Sequence, residues 1–288
     1  MKEPKCCLFK GLLGGVLLLV AASSPAQIQT LVNNNSFADI NPNNQQGMFD
    51  WFVDGQNQLF QQWFWYRVGL NPEQSIDTIS APLITRPDAK TAYITYNNGA
   101  FSVEVDYVLT GQSPGSGQAD IRESIRIHNF TASPLDFHFF QYSDFNLLND
   151  PNGDNVALGT DLNGLFNEAF QTKGPLNTSS ILSETDVTPG ANHGETAFAG
   201  ATLGKLNNGV PDNLNDNAGP TGPGNVTWAL QWDYQGTSMI APGGDALISK
   251  QKFLQVPEPS AFALISLAAV VCALHRRRQS QHGKSAAS

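Results

Sequence analysis

Residues 91–109 alternate apolar and polar side chains on both sides of an Asn-Gly pair, and this pattern constrains the fold more than any other feature of the chain. Thr91–Tyr96 is followed by Asn97-Asn98-Gly99 and then by Ala100–Leu109. Asparagine and glycine tolerate the positive φ that a tight β-turn requires, so this order predicts a hairpin. In the second arm one face carries a regular series of large apolar side chains, which favours a strand packed on a core. They are Phe101, Val103, Val105 and Tyr107.

Similar short segments, rich in β-branched and aromatic residues, recur along the chain between turns of Gly, Asn, Pro and Asp. Antiparallel strands at such regular spacing predict an all-β protein, an antiparallel β-sandwich of jelly-roll-like type. Residues 204–224 are too polar and too rich in Gly and Pro to pack, and a loop of this length is expected to be functional or mobile. The further strands are expected at residues 48–53, 58–68, 121–129, 135–148, 197–203, 226–234 and 247–256.

Both ends of the chain carry segments typical of membrane targeting. Three lysines precede the apolar residues 11–22, and Ser24-Pro25-Ala26 offers small side chains for cleavage, which predicts a secretory signal peptide over residues 1–26. Near the other end, the uncharged run 261–274 would make a helix of about 21 Å against a hydrocarbon core of about 30 Å. A run of this length is also typical of a buried core helix, but its terminal position and the arginines after it favour a transmembrane helix. The exported body is therefore expected over residues 27–255.

The tail 256–288 has three parts in a fixed order: a Pro-Glu-Pro motif, the apolar helix at 261–274, and a basic cluster with a polar tail at 275–288. This order resembles the PEP-CTERM sorting signal of exported bacterial proteins. The resemblance covers the tail only. It implies processing by an exosortase-type membrane enzyme, transient anchoring, and a final location at the cell surface or in the extracellular matrix, in connection with exopolysaccharide and biofilm production. The residues that carry it are Val256, Pro257, Glu258, Pro259, Ser260, Arg276, Arg277 and Arg278.

The exported body is acidic and has no cysteine. Residues 27–255 contain nine Lys and Arg against 23 Asp and Glu, a net charge of −14. Such a surface argues against nucleic acid or an anionic membrane surface as partner, and it is compatible with cations or neutral polysaccharide. All three cysteines, Cys6, Cys7 and Cys272, fall in the terminal segments, which excludes disulfides and cysteine chemistry from the body.

Aromatic residues cluster at 49–66 and again at period two in 226–234. Sugar rings stack on flat aromatic side chains, so an exposed row of indoles would form a glycan-binding platform. Aromatic residues at period two on a sandwich strand more commonly face the core. The candidates for such a platform are Trp63, Trp65, Trp228 and Trp232.

An acidic stretch at 144–161 is a candidate Ca²⁺ site. Asp150, Asn152 and Asp154 offer oxygen ligands at alternating positions, and Asp161 follows. The stretch departs from the EF-hand pattern, because Asn155 stands at the position that requires glycine and no glutamate stands at the twelfth. An ordinary surface turn of Asn, Asp and Gly explains it equally well, so the cofactor prediction is none, with Ca²⁺ as the alternative.

Residues suited to acid–base catalysis are sparse. Neighbouring strands supply Glu123, His128, His138 and Asp144, while His193 and Glu195 lie in a loop. Motifs for serine hydrolases, zinc proteases, phosphate loops and dinucleotide binding are absent from the printed sequence. No catalytic residue is therefore assigned at this level.

Two classes of function compete. The first is a non-enzymatic surface or matrix protein whose β-sandwich is an interaction module, with extracellular polysaccharide as a candidate partner. The alternative is a secreted polysaccharide-active enzyme of the same fold class. A cleft lined by paired acids would favour the enzyme, and a flat uncharged aromatic face would favour the module. The sequence favours the non-enzymatic module.

Overall fold

The computed structural model describes residues 27–176 and 181–256, which form two antiparallel sheets packed face to face. One short helix, α1 (Ala201–Leu206), and three 3-10 turns (Ile76–Thr78, Leu147–Asn149 and Gly236–Ser238) interrupt the strands of these ranges. The strands are β1 (Gln29–Asn33), β2 (Ser36–Asn41), β3 (Gly47–Val53), β4 (Gln56–Asn57), β5 (Gln61–Val68), β6 (Gln74–Ser75), β7 (Leu83–Asp88), β8 (Thr91–Asn97), β9 (Phe101–Gly111), β10 (Gln118–Asn129), β11 (Phe137–Asp144), β12 (Asp154–Thr160), β13 (Phe166–Lys173), β14 (Ile181–Thr188), β15 (His193–Phe198), β16 (Thr221–Gly224), β17 (Val226–Tyr234) and β18 (Asp245–Gln255).

The two sheets have different strand orders. Sheet 1 runs β1-β2-β3-β5-β11-β17-β15, with β4 added beside β3 and β6 beside β5. Sheet 2 runs β16-β12-β13-β14-β18-β10-β9-β8-β7. The described pairs are antiparallel except for the short contact of β3 with β5. The antiparallel two-sheet architecture predicted from the sequence is therefore confirmed.

The core lies between the sheets because alternate side chains of each strand point inward. Tyr66 of sheet 1 lies against Phe101 of sheet 2 with ring centroids 5.5 Å apart, and Phe101 in turn meets Phe137 at 5.2 Å. Rings on the inner face of sheet 1 also stack on one another, as Phe64 does on Phe139 at 5.3 Å. Buried aromatic rings contribute large apolar areas, so this layer is the main source of cohesion between the two sheets.

Most of the expected strands are observed. The hairpin predicted at the Asn-Gly pair is formed by β8 and β9, and its four large apolar side chains are buried. The expectation of a strand over 197–203 is wrong in its second half, because Gly200, with φ +86°, ends the extended backbone and α1 begins at the next residue. Glycine adopts this left-handed conformation without the Cβ clash that other residues incur.

Within the described ranges no helix is long and apolar enough to cross a membrane. The predicted signal peptide and the predicted transmembrane helix at 261–274 lie outside those ranges, as do the sorting motif from Pro257 onward and the basic cluster.

Candidate functional site

Four neighbouring strands of sheet 1 carry a row of charged and polar side chains on the face that points away from the core. The register places Arg67 of β5 opposite His138 of β11, and His138 opposite Asp233 of β17. One strand further, His193 of β15 stands opposite Gln231. Directly opposed residues of an antiparallel pair share a face at a Cβ separation of about 5 Å, so these side chains are brought together by the ladder itself.

Asp233 links the two histidines. Its Oδ1 lies 2.6 Å from Nδ1 of His138, and its Oδ2 lies 3.3 Å from Nε2 of His193. The outer ring nitrogens face further carboxylates, with His138 Nε2 at 3.2 Å from Asp136 and His193 Nδ1 at 3.0 Å from Asp216. We refer to His138, Asp233 and His193 as the His–Asp–His cluster.

Hydrogen bonds and the neighbouring imidazoles favour the ionised form of Asp233. Burial raises the pKa of Asp233, but the hydrogen bonds from His138 and Gln231 and the nearby imidazoles outweigh it, and the pKa falls below its usual value. The side chains of His138 and Asp233 are 5 % and 4 % exposed, whereas that of His193 is 28 % exposed. His193 is therefore the member of the cluster that solvent can reach.

Arg67 occupies the end of the row. Its Nη1 donates to Glu73 Oε1 at 2.7 Å, and both side chains are buried. The guanidinium lies over the ring of Phe140, 5.6 Å from its centroid. A planar guanidinium stacked on a ring and paired with a carboxylate is fixed in direction, so Arg67 presents its remaining donors to one place above the sheet.

That place is covered by residues 207–217, which we call the covering segment. Arg67 Nη1 donates to the Asp212 carbonyl at 2.7 Å and Nη2 to Asn213 Oδ1 at 2.8 Å. The backbone amide of Leu214 donates to Gln231 Oε1 at 2.9 Å, and its side chain is 3 % exposed. The covering segment thus lies over the Arg67 and Gln231 side chains of the row and contacts the His–Asp–His cluster at His193 through Asp216.

Glu195, a candidate acid in the sequence, holds the covering segment in place through hydrogen bonds. Its carboxylate accepts from Thr202 Oγ1 at 2.6 Å, from the Asn215 amide at 2.9 Å, and from Lys205 Nζ in a short contact. Since every one of these partners belongs to α1 or to the covering segment, the contacts of Glu195 are structural.

The other acid–base candidates are not brought to the cluster. Glu123 points into the core, where it meets Lys250 and Lys252 at 2.6 Å each. His128 lies on the outer face of sheet 2 against Asp245. Asp144 ends β11 beneath Tyr142, and burial together with the charge of Asp154 raises the pKa of Asp144 to about 6.

Three of the four candidate Ca²⁺ ligands, Asp150, Asn152 and Asp154, lie around the ammonium group of Lys173. Lys173 Nζ donates to the Asp150 carbonyl at 2.7 Å and, in a shorter contact, to the Asn152 carbonyl. It lies 3.1 Å from the Asp150 carboxylate and 3.3 Å from that of Asp154. Asp161 is separate, with its oxygens on the backbone amides of its own turn. The described ranges hold no group of three or more His, Cys, Asp or Glu suited to a metal ion.

The four tryptophans proposed as a glycan platform are all covered. Their exposed fractions are at most 1 %, because Trp228 and Trp232 face the core and the outer face of β5 is covered by other segments. Trp65 Nε1 donates to Asn207 of the covering segment at 3.4 Å, and Trp63 Nε1 to Ser75 at 2.9 Å. They are therefore unavailable as an exposed platform.

Sequence reasoning missed Arg67, Glu73, Gln231 and Asp233. A signal for two of them is present, because 226–234 alternates large apolar residues with Thr227, Ala229, Gln231 and Asp233, and the second series must occupy the opposite face. Arg67 is the only charged residue of the aromatic strand β5. No local pattern connects Glu73 with it.

No family model matches the chain, and no curated protein matches its sequence. Solved structures do share its fold. A bacterial glucoamylase complexed with acarbose is 10 % identical with a TM-score of 0.54, over 86 % of this chain and 36 % of that one. A protein assigned as an aldose 1-epimerase from Escherichia coli K12 is 10 % identical with a TM-score of 0.55, over 80 % of this chain and 99 % of that one. The chain thus spans about a third of the glucoamylase.

These similarities show the fold, and at that level they overturn the expectation of a non-enzymatic interaction module. One structure is named as a glucoamylase and the other as an aldose 1-epimerase, which favours the alternative function stated above. The structure also removes the basis of that expectation, since the indoles expected to bind glycan are buried, while the face beside them carries two histidines on one aspartate.

Proposed function

We propose that this protein is an exported carbohydrate-active enzyme that performs acid–base chemistry at the anomeric carbon of a sugar or of a polysaccharide end. The single observation that carries the proposal is the His–Asp–His cluster, in which one buried carboxylate contacts two imidazoles. Support for a sugar substrate comes from the fold shared with the glucoamylase and the aldose 1-epimerase.

Two imidazoles on one carboxylate suit a reaction that takes a proton at one atom and gives one at another. In the interconversion of sugar anomers, a base removes the proton of the C1 hydroxyl and the C1–ring oxygen bond breaks as the carbonyl forms. An acid then protonates the ring oxygen, and the reverse steps close the ring on the other face. Histidine is suited to both roles because its unperturbed pKa is about 6.5.

The roles follow from exposure and charge. We assign His193 to proton exchange with the substrate, since it is the most exposed member of the cluster, and His138 to the complementary role. Asp233 orients both rings through its two oxygens and stabilises whichever imidazole is protonated. Arg67 supplies fixed donors to a sugar oxygen.

The test is anomer exchange in D-glucose and D-galactose, measured by NMR magnetisation transfer on the full-length chain. Exchange above the spontaneous rate is expected, and His138→Asn and Asp233→Asn are expected to lower the catalysed part by about 100-fold or more. His128→Asn is the matched control, because His128 lies on the other sheet against Asp245. Exchange at the spontaneous rate with all sugars, or full activity in Asp233→Asn, would refute the assignment.

The two ends of the chain and the finer fold belong to the same proposal. We infer export through the signal peptide 1–26, anchoring by the helix 261–274, and release by an exosortase-type enzyme at the Pro-Glu-Pro motif into the extracellular matrix. We also propose that the strands of the two sheets are connected in a jelly-roll-like order. Immunoblots of fractionated cells test the sorting, with a shortened chain expected in the matrix fraction. A full-length chain confined to the cytoplasm would contradict export.

A further inference from the structure

The covering segment presents to sheet 1 the same kinds of hydrogen-bonding groups that a sugar would present. The Asp212 carbonyl and Asn213 Oδ1 accept from the two outer nitrogens of Arg67, and Asn213 Oδ1 also accepts from Gln231 Nε2 at 2.9 Å. The Asp212 amide donates to Glu73 Oε1 at 3.0 Å. A hydroxyl group both donates and accepts, so a neutral polyhydroxylated ring can satisfy these same positions.

The segment is held by side chains and takes no part in a β-ladder until its last residue. The amides of Asp212, Leu214 and Asn215 donate to Glu73, Gln231 and Glu195, respectively. After the turn bonds of Asn207 and Asn208 to the end of α1, the next described backbone pairing is at Asn217, whose carbonyl accepts from the Thr196 amide at 2.8 Å. Leu214 is the apolar side chain that the segment buries. Segments with few apolar contacts and side-chain anchoring open more readily than the strands beneath them.

The segment also contacts one of the groups assigned to the chemistry. His138 and Asp233 are nearly fully buried, and Asp216 of the segment contacts His193 Nδ1 at 3.0 Å and accepts from the Gly194 amide at 3.3 Å. While the segment keeps these positions, its own groups occupy the hydrogen-bonding atoms of Arg67, Gln231 and Glu73 beside the cluster. We therefore expect a sugar to reach these atoms only when the segment is displaced.

We propose that residues 207–217 form an autoinhibitory lid that competes with a neutral sugar for Arg67, Gln231 and Glu73. This inference rests on the proposed function for the identity of the site, and it adds that the closed lid lowers apparent affinity. If only a fraction of molecules has the lid open, the apparent dissociation constant rises by the inverse of that fraction. A variant that loosens the lid is then expected to bind sugar more tightly.

The first test is hydrogen–deuterium exchange of the full-length chain, followed in peptides that cover 207–217, with and without D-glucose, D-galactose, maltose or cellobiose at 100 mM. Faster exchange at the Asp212 and Leu214 amides is expected with at least one sugar, because the sugar takes their partners Glu73 and Gln231. Peptides from β9 and β10 serve as internal controls. Unchanged exchange of the lid with every sugar would overturn the proposal.

The second test uses Asn213→Ala, which removes the oxygen shared by Arg67 and Gln231. Exchange at 207–217 is expected to rise several-fold, and KM to fall several-fold with kcat unchanged. Asn163→Ala, in the separate turn after Asp161, is the matched control and is expected to change neither. A variant Asn213→Ala with unchanged exchange, or with a raised KM, would show that the segment is a fixed part of the site.

The two proposals fail separately. If sugars speed hydrogen–deuterium exchange of the lid but anomer exchange stays at the spontaneous rate, the lid proposal is supported and the catalytic assignment is refuted. If anomer exchange is catalysed while hydrogen–deuterium exchange of the lid is unaffected by sugar and by Asn213→Ala, the catalytic assignment is supported and the lid proposal is refuted.

Discussion

Lys250 and Glu123 form an ion pair at 2.6 Å in the interior between the two sheets, where both side chains are 0 % exposed. Lys252 meets the other carboxylate oxygen at 2.6 Å, and the Lys250 ammonium lies 4.8 Å from the centroid of the Phe64 ring. Burial raises the pKa of Glu123, but the two ammonium groups outweigh it and hold the pKa below its usual value. The core of the sandwich therefore contains charge in the middle of its aromatic layer.

Replacing Glu123 by Gln should destabilise the protein strongly. Removing one partner of a buried ion pair leaves an uncompensated buried charge, at a cost of about 3–5 kcal/mol in the free energy of unfolding. Urea unfolding at pH 7 measures the change. Asp245→Asn is the control, because it breaks a surface pair with Arg126 whose side chains are 50 % and 34 % exposed, and such pairs contribute about 0–1 kcal/mol. Equal losses in the two variants would contradict the prediction.

A second prediction concerns acid conditions and Asp144. Burial raises the pKa of Asp144, Asp154 and Asp106 to about 6 each. A carboxyl group whose folded pKa exceeds its unfolded value binds protons more readily when folded, so stability should increase as the pH falls from 8 to about 4.5. The contribution of Glu123 has the opposite sign, but its lowered pKa keeps it intact over this range.

Asp144→Asn isolates one of these groups. The variant removes a charge that is costly above pH 6, and a gain of about 1–3 kcal/mol at pH 8, vanishing near pH 4, is expected. Urea midpoints between pH 4 and pH 8 provide the measurement, with Asp161→Asn as control because hydrogen bonds within its own turn lower the pKa of Asp161. A stability gain that is constant with pH would show that the carboxylate charge is not its cause.

The sequence predicted the sandwich because its strands alternate. The hairpin at Asn98-Gly99 and the strands β3, β5, β10, β17 and β18 follow from local period and turn chemistry, which act over a few residues. Strands such as β12 and β13 were missed because their sequences, for example Asp154–Thr160, mix Gly, Asn and Asp with few apolar residues. These strands are stabilised by pairing with neighbours, which no local pattern encodes.

The site was harder to predict because its members come from distant parts of the chain. His138 and His193 were recognised as candidates, but the carboxylate that joins them is Asp233, and only the sheet order β11-β17-β15 brings it between them. Glu123 was named as an acid–base candidate, but it shares the inward face of its strand with Ile121 and Ile125. Pairing with Lys250 and Lys252 buries it there, and no local pattern predicts those two partners.

A third prediction concerns Gly47, which ends the turn into β3. Its φ is +58°, and a Cβ at this position would lie 2.3 Å from the Trp63 ring and 2.5 Å from the Gln62 carbonyl. Gly47→Ala should therefore cost more than about 2 kcal/mol, from overpacking against β5 added to the backbone strain. Gly55→Ala is the matched control, since its φ is +79° with no atom within 4 Å of the added Cβ. Urea unfolding decides between them, and similar losses would show that the contact with Trp63 is unimportant.

The last prediction concerns Ca²⁺ at Asp150, Asn152 and Asp154. In the structure the oxygens of these residues surround Lys173 Nζ, so an ammonium occupies the position that a cation would need. Hard carboxylate and carbonyl oxygens are the ligands that Ca²⁺ prefers. Lys173→Met keeps most of the apolar stem and removes the charge, and it should therefore lose stability in EDTA and regain it in Ca²⁺.

Thermal melts of the full-length chain provide the measurement, in 1 mM EDTA and in 10 mM CaCl₂. A ligand that binds only the folded state raises the midpoint by mass action. We expect a clear rise for Lys173→Met and a much smaller one for the parent, in which Ca²⁺ must first displace the ammonium. MgCl₂ at the same concentration controls for ionic strength, because the smaller ion demands stricter octahedral geometry. An equal response of parent and variant to Ca²⁺ would place any cation elsewhere on the acidic surface.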